Sequence, residues 1–236
     1  MDSLMQAADK GPGHGVYIVF EDNHVLVAYK PAGILSQEDK TGEPDMLTIL
    51  KDYIKIRDSK PGNVWLGLLH RLDRPVSGVM VFAKTSKCAS RISEQIRLRK
   101  VRKCYRAVVT GVFDAREGIL EDYILKDEKT NTVKVTGSSV LGSKKARLEY
   151  RVLDQKDDMS LVEIELETGR SHQIRAQMAH AGHPLIADRK YGKGKETCDI
   201  ALQSFLIGFS HPVSGEYHEY QIALPSDYPW SVFCKS

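Results

Sequence analysis

The stretch Trp65-Leu66-Gly67-Leu68-Leu69-His70-Arg71-Leu72-Asp73-Arg74-Pro75-Val76-Ser77-Gly78-Val79-Met80-Val81-Phe82-Ala83 reads as strand, loop, strand. The apolar runs Trp65 to Leu69 and Val79 to Ala83 are short and fit buried strands. His70 to Gly78 therefore lie on a loop, which carries Asp73 with Arg71 two residues before it and Arg74 one after. Charges in such a loop cost stability when buried and unpaired. They are kept where they have partners or a substrate, so this loop is the expected seat of the chemistry.

Working outward, Val16 to Phe20 and His24 to Tyr29 read as strands joined by Glu21-Asp22-Asn23, and Lys30-Pro31-Ala32-Gly33 breaks the pattern. Within 45–57, Met46, Ile49, Leu50, Tyr53 and Ile54 recur at helical spacing. After the loop, Thr85 or Ser86 caps a helix with Ala89, Ile92 and Ile96 inward. Tyr105 to Val109 is the next strand, and the turn-rich segment from Phe113 to Leu141 yields no assignment. Ala146 to Leu153 reads as a strand, as does the alternation of Val162, Ile164 and Leu166 with Glu163, Glu165 and Glu167. Thr168-Gly169-Arg170 turns the chain. Ser171 then caps a helix through Ala181, with Ile174 and Met178 on its inner face and Gly182 just past its end. Ile200 to Phe209 and Tyr217 to Leu224 are the last strands.

Strands and helices mix without regular β-α-β alternation. The expected class is α+β, with a mixed, largely antiparallel sheet and flanking helices. Residues 1–15 are polar and Gly-rich and are expected to form a flexible tail, with one domain over 16–236.

No stretch approaches the roughly 18 uncharged apolar residues of a membrane helix, and the first residues hold no signal-peptide core. The expectation is a cytoplasmic protein that does not engage a membrane. Cys88, Cys104, Cys198 and Cys234 are far apart with no C-x-x-C, which argues against a paired-cysteine zinc site or a disulfide framework. The net charge of +3 is too small to imply a polyanionic partner by itself. Local clustering is more telling: between Arg91 and Arg106 the basic residues Arg91, Arg97, Arg99, Lys100, Arg102, Lys103 and Arg106 face one acid, Glu94. Such a block fits a polyphosphate backbone, although a solvated helix face also accounts for it.

Three constellations carry chemistry. The first is Asp73 with Arg71 and Arg74. The second is Tyr105 with Lys103 before it and Arg106 after it. The third is Gly169-Arg170-Ser171-His172-Gln173-Ile174-Arg175 at a strand-turn-helix junction, where helix N–H groups and the side chains of Arg170, His172 and Arg175 suit phosphate or carboxylate.

These residues resemble the RluA family of RNA pseudouridine synthases. The resemblance rests on Lys30-Pro31-Ala32-Gly33, His70 to Asp73 followed by Ser77-Gly78, Lys103-x-Tyr105, and the 169–175 motif. Gly182-His183-Pro184-Leu185-Ile186, Asp188 to Gly192, and Phe209-Ser210-His211-Pro212 follow in the same order. The family implies the pseudouridine synthase fold, with a cleft across the sheet, and isomerisation of selected uridines in structured ribosomal or transfer RNA without cofactor or metal. By resemblance, Asp73 is the catalytic aspartate, attacking the anomeric carbon or the base or assisting a glycal route. Tyr105 packs on the flipped uracil, Arg175 pairs with Asp73, and Arg71 fills the gap the base leaves. Arg74, Arg99, Lys100, Lys103, Arg170 and His172 are the expected RNA contacts. A monomer with no obligate protein partner is the default.

The chemistry suits these types. A nearby arginine favours an ionised carboxylate, and extracting a base costs a few kcal/mol that an inserted arginine and an aromatic wall offset. Val76, Gln177 and Gln203 depart from the family's usual Thr, His and His, which bears on substrate choice. The rival reading is a non-catalytic RNA-binding protein that keeps the fold.

Overall fold

The structure, a computed structural model, describes residues 11–192 and 197–234. In chain order its elements are β1 (Tyr17–Glu21), β2 (Val25–Lys30), α1 (Met46–Arg57), β3 (Gly67–Leu68), β4 (Ser77–Ala83), α2 (Ser86–Arg97) and β5 (Arg102–Thr110). There follow β6 (Glu117–Asp127), β7 (Thr132–Thr136), β8 (Lys144–Lys156), β9 (Met159–Leu166), α3 (Gln173–His180), β10 (Leu202–Ser210), β11 (Tyr217–Gln221) and a 3-10 turn at Trp230–Phe233. Strands dominate and helices are few, in keeping with the expected α+β class. The chain folds as two compact units, one running to Val101 and including Leu206–Ile222, the other made of Arg102–Phe205 and the residues from Ala223 on.

In the first unit the strand order is β1-β2-β4-β10, with β3 on β4 and β11 on β10. The pairs β1–β2, β2–β4, β3–β4 and β10–β11 are antiparallel. Val25 to Ala28 and Val79 to Ala83 are fully buried, so β2 and β4 are apolar on both faces. Val25, Val27, Val79, Val81 and Phe209 pack with Ile92 of α2. Each such fully buried side chain contributes about 1.5–3 kcal/mol relative to exposure. Asp45 caps α1, its Oδ1 accepting from the N–H of Leu47 at 2.9 Å and of Thr48 at 3.1 Å. At the start of α2, Thr85 rather than Ser86 is the cap, accepting from Cys88 N–H at 3.2 Å. The Trp65 to Leu69 run forms only the two-residue β3. Trp65 folds its ring back over Gly67, where an added Cβ would meet it at 2.8 Å.

In the second unit the order is β5-β9-β8-β6-β7, every pair antiparallel. Val162 and Ile164 are fully buried, while Glu163 and Glu165 reach Arg151 and Arg102 at 3.0 Å each. The segment that gave no assignment holds the β6–β7 hairpin. Charged residues and half-exposed faces hide the apolar period in β6. Its turn is closed by Asp127 Oδ1, which accepts from Lys129 N–H at 2.9 Å and Thr130 N–H at 3.3 Å.

The expected Ser171 cap is corrected. The cap residue of α3 is His172, in the left-handed region at φ 48° and without a side-chain capping bond. The Gln173 amide oxygen instead accepts from Thr168 Oγ1 at 2.8 Å and Arg170 N–H at 3.1 Å, so the turn is tied to the helix from inside. Gly182 stands just past the helix at φ 89°, as expected.

Candidate active site

Asp73 is half-buried on the loop between β3 and β4. The backbone around it is held from several directions. Ser36 Oγ donates to Leu72 O at 2.8 Å and accepts from Leu72 N–H at 3.1 Å. The Asp73 carbonyl accepts from Val76 N–H at 3.0 Å, and the Arg74 carbonyl from Gly33 N–H at 2.9 Å. His70 Nε2 accepts from Val81 N–H at 3.1 Å, so that nitrogen carries no proton and the ring ties the loop to β4.

Lys30 ends β2 fully buried. Its Nζ donates to Pro31 O at 3.0 Å, Ile34 O at 2.7 Å and Arg74 O at 3.0 Å, one acceptor for each ammonium proton. Burial pushes this amine down to about 7; the Asp73 carboxylate opposes that shift and the Arg74 guanidinium adds to it. A carboxylate on a fixed backbone with a buried amine in its field is suited to nucleophilic or acid-base work.

Arg71 and Arg74 are exposed on the same loop. Arg74 Nε donates to Gly33 O at 3.0 Å and its terminal nitrogen pairs with Glu43. Arg99 and Lys100 lie just past α2. Lys100 N–H reaches Gln95 O at 2.8 Å and Arg99 N–H reaches Ile96 O at 3.1 Å, a Schellman closure with Arg99 in the left-handed position at φ 57°. Both side chains are exposed.

In the second unit, Tyr105 sits on β5 opposite Ile164 of β9 and is buried. Lys103 is close to the turn after β9: its Nζ lies 3.2 Å from where a Cβ on Gly169 would stand. Arg170 is exposed, with Nε bonded to Lys145 O at 3.2 Å. Arg175 is buried on α3, its Nε and Nη2 meeting Asp188 Oδ2 and Oδ1 at 2.8 and 2.7 Å. Asp188 Oδ1 also accepts from Lys190 N–H at 2.9 Å and Tyr191 N–H at 3.2 Å. Burial raises the Asp188 carboxyl, but Arg175 and the two N–H groups outweigh it and hold it below the usual carboxylate range. The Tyr191 hydroxyl bonds His172 Nδ1 at 2.8 Å and accepts from Val133 N–H at 2.7 Å, and the Arg175 guanidinium lies 5.2 Å from the Tyr191 ring centre.

The structure thus gathers Arg71, Asp73 and Arg74 on one loop of the first unit, and His172 and Arg175 in one network of the second. Sequence reasoning missed Ser36, and it missed that Asp188 and Tyr191 hold Arg175 and His172. Among the described residues no three His, Cys, Asp or Glu side chains are placed to hold a metal ion. No described helix is long and apolar enough to cross a membrane.

Residues 24–180 match the family model of RNA pseudouridylate synthase. The chain is 35% identical over 217 residues to the uncharacterized RNA pseudouridine synthase YlyB of Bacillus subtilis, covering 89% of this chain and 69% of that one. It is 34% identical to ribosomal large subunit pseudouridine synthase D of Neisseria meningitidis serogroup B, covering 89% and 58%. Human RNA pseudouridylate synthase domain containing 4 shares the fold, with a TM-score of 0.76 over 95% of this chain and 92% of that one at 21% identity.

Proposed function

The chain belongs to the RNA pseudouridylate synthase family, whose members are RNA isomerases, and from that premise we propose that Asp73 is the carboxylate that acts on the target uridine. The observation that carries this reading is the family match over 24–180, which takes in Asp73, Tyr105 and Arg175 from both compact units. On this reading 16–236 work as one catalytic domain. The uracil leaves its ribose, turns, and rejoins through carbon, with no cofactor or metal.

Tyr105 receives the flipped uracil, and Arg71 fills the space it leaves in the stack. Arg175 is the counter-charge of Asp73. Its pair with Asp188 engages Nε and Nη2. Arg74, Arg99, Lys100, Lys103, Arg170 and His172 hold the RNA backbone. The substrate is structured RNA, ribosomal or transfer, and the names of the large-subunit relatives favour ribosomal RNA. The protein acts in the cytoplasm as a monomer without an obligate partner.

The test is pseudouridine mapping across total RNA from cells lacking the gene, rescued with the wild type or with Asp73→Ala. A site present only with the wild type supports the reading. Identical maps contradict it and favour an RNA-binding protein without turnover.

A further inference from the structure

Ser36 lies outside the motifs that carry the family resemblance, yet its side chain holds the backbone next to Asp73. We propose that Ser36 is a positioning residue for the Asp73 carboxylate, an inference that rests on Asp73 being the catalytic group. Ser36 is 5% exposed, in the segment between β2 and α1. Its one hydroxyl proton goes to Leu72 O, and its oxygen accepts from Leu72 N–H.

The Leu72 carbonyl belongs to the peptide that enters Asp73, so Ser36 fixes the plane of that peptide. The next carbonyl, of Asp73 itself, is held by Val76 N–H. The one after, of Arg74, is held by Gly33 N–H and Lys30 Nζ. Three successive peptide planes are therefore pinned, and both backbone torsions of Asp73 with them. Two donors share the Arg74 end, whereas Ser36 is the side chain that clasps the Leu72 end. The clasp spans 36 residues of sequence and joins the segment after β2 to the loop before β4.

A displacement of about 1 Å at a reacting group costs on the order of a hundredfold in rate, so releasing one end of the loop falls on turnover more than on RNA binding. The hydroxyl is separable from the volume of the side chain. Ser36→Thr keeps the oxygen and adds a methyl; Ser36→Val adds the same bulk without the oxygen.

The experiment measures single-turnover pseudouridine formation by the purified full chain on total RNA from cells lacking the gene, with RNA affinity and thermal midpoint recorded for each variant. Ser36→Val is expected to lower the rate constant about tenfold or more, with RNA affinity within about twofold of wild type. Ser36→Thr is expected to recover most of that rate. Ser36→Ala, which removes the oxygen without adding bulk, is expected to behave as Ser36→Val and serves in its place if Ser36→Val does not fold. Equal losses in Ser36→Thr and Ser36→Val, or wild-type turnover in Ser36→Ala, overturn the proposal. Asp73→Asn is run in parallel. An inactive Asp73→Asn beside a fully active Ser36→Ala overturns the positioning role alone, whereas an active Asp73→Asn removes the catalytic reading and this inference with it.

Discussion

Arg175 and Asp188 form a two-pronged ion pair, at 2.8 and 2.7 Å, in which neither side chain is more than 5% exposed. Removing one partner of a buried pair leaves the other charged and unpaired, which costs about 3–5 kcal/mol. Arg175→Ala is therefore expected to lose about that much stability in urea unfolding. The double variant Arg175→Ala with Asp188→Ala is expected to lose less than the sum of the two single losses. Strict additivity would mean the pair is energetically idle.

The same pair sets a pH dependence. The folded Asp188 carboxyl titrates below its ordinary value, because the Arg175 bonds and the N–H groups of Lys190 and Tyr191 outweigh the effect of burial. A depressed folded value means the stabilisation is present above the unfolded value and is lost as pH falls through the folded one. Wild-type stability is expected to fall more steeply than that of Asp188→Asn below about pH 4. Parallel curves would show that Asp188 does not contribute this linkage.

The sequence revealed these elements unevenly, for physical reasons. β2, β4 and β9 were legible because continuous or alternating apolar residues are what a buried strand requires. β6 and β7 were not, because each buries a single apolar side chain, Ile124 and Val133, among charged and half-exposed positions, too few to show a period. The start of α3 was misplaced at Ser171 because the rule for caps is local, whereas His172 is held by Tyr191, 19 residues onward. Asp73 stood out as a charge between two strands. Ser36 did not, since a serine in a polar loop carries no pattern that points to Leu72.

At Arg99, backbone strain and the proposed RNA contact can be tested apart. It occupies a left-handed position, φ 57°, that favours glycine. Arg99→Gly is expected to raise stability by about 0.5–1 kcal/mol while weakening RNA binding. Arg99→Ala with Lys100→Ala is expected to weaken binding and to lower the slope of log affinity against log salt by about two contacts' worth. An unchanged slope would remove this cluster from the RNA surface.

Purified wild type and Asp73→Asn, each given RNA from cells lacking the gene and scored for pseudouridine formed and RNA bound, decide whether Asp73 is the catalytic carboxylate. Asp73→Asn keeps the size of the side chain and removes the carboxylate charge. Pseudouridine is expected at defined uridines with the wild type, and none with Asp73→Asn at undiminished RNA affinity. Near-wild-type turnover by Asp73→Asn would contradict that role for Asp73.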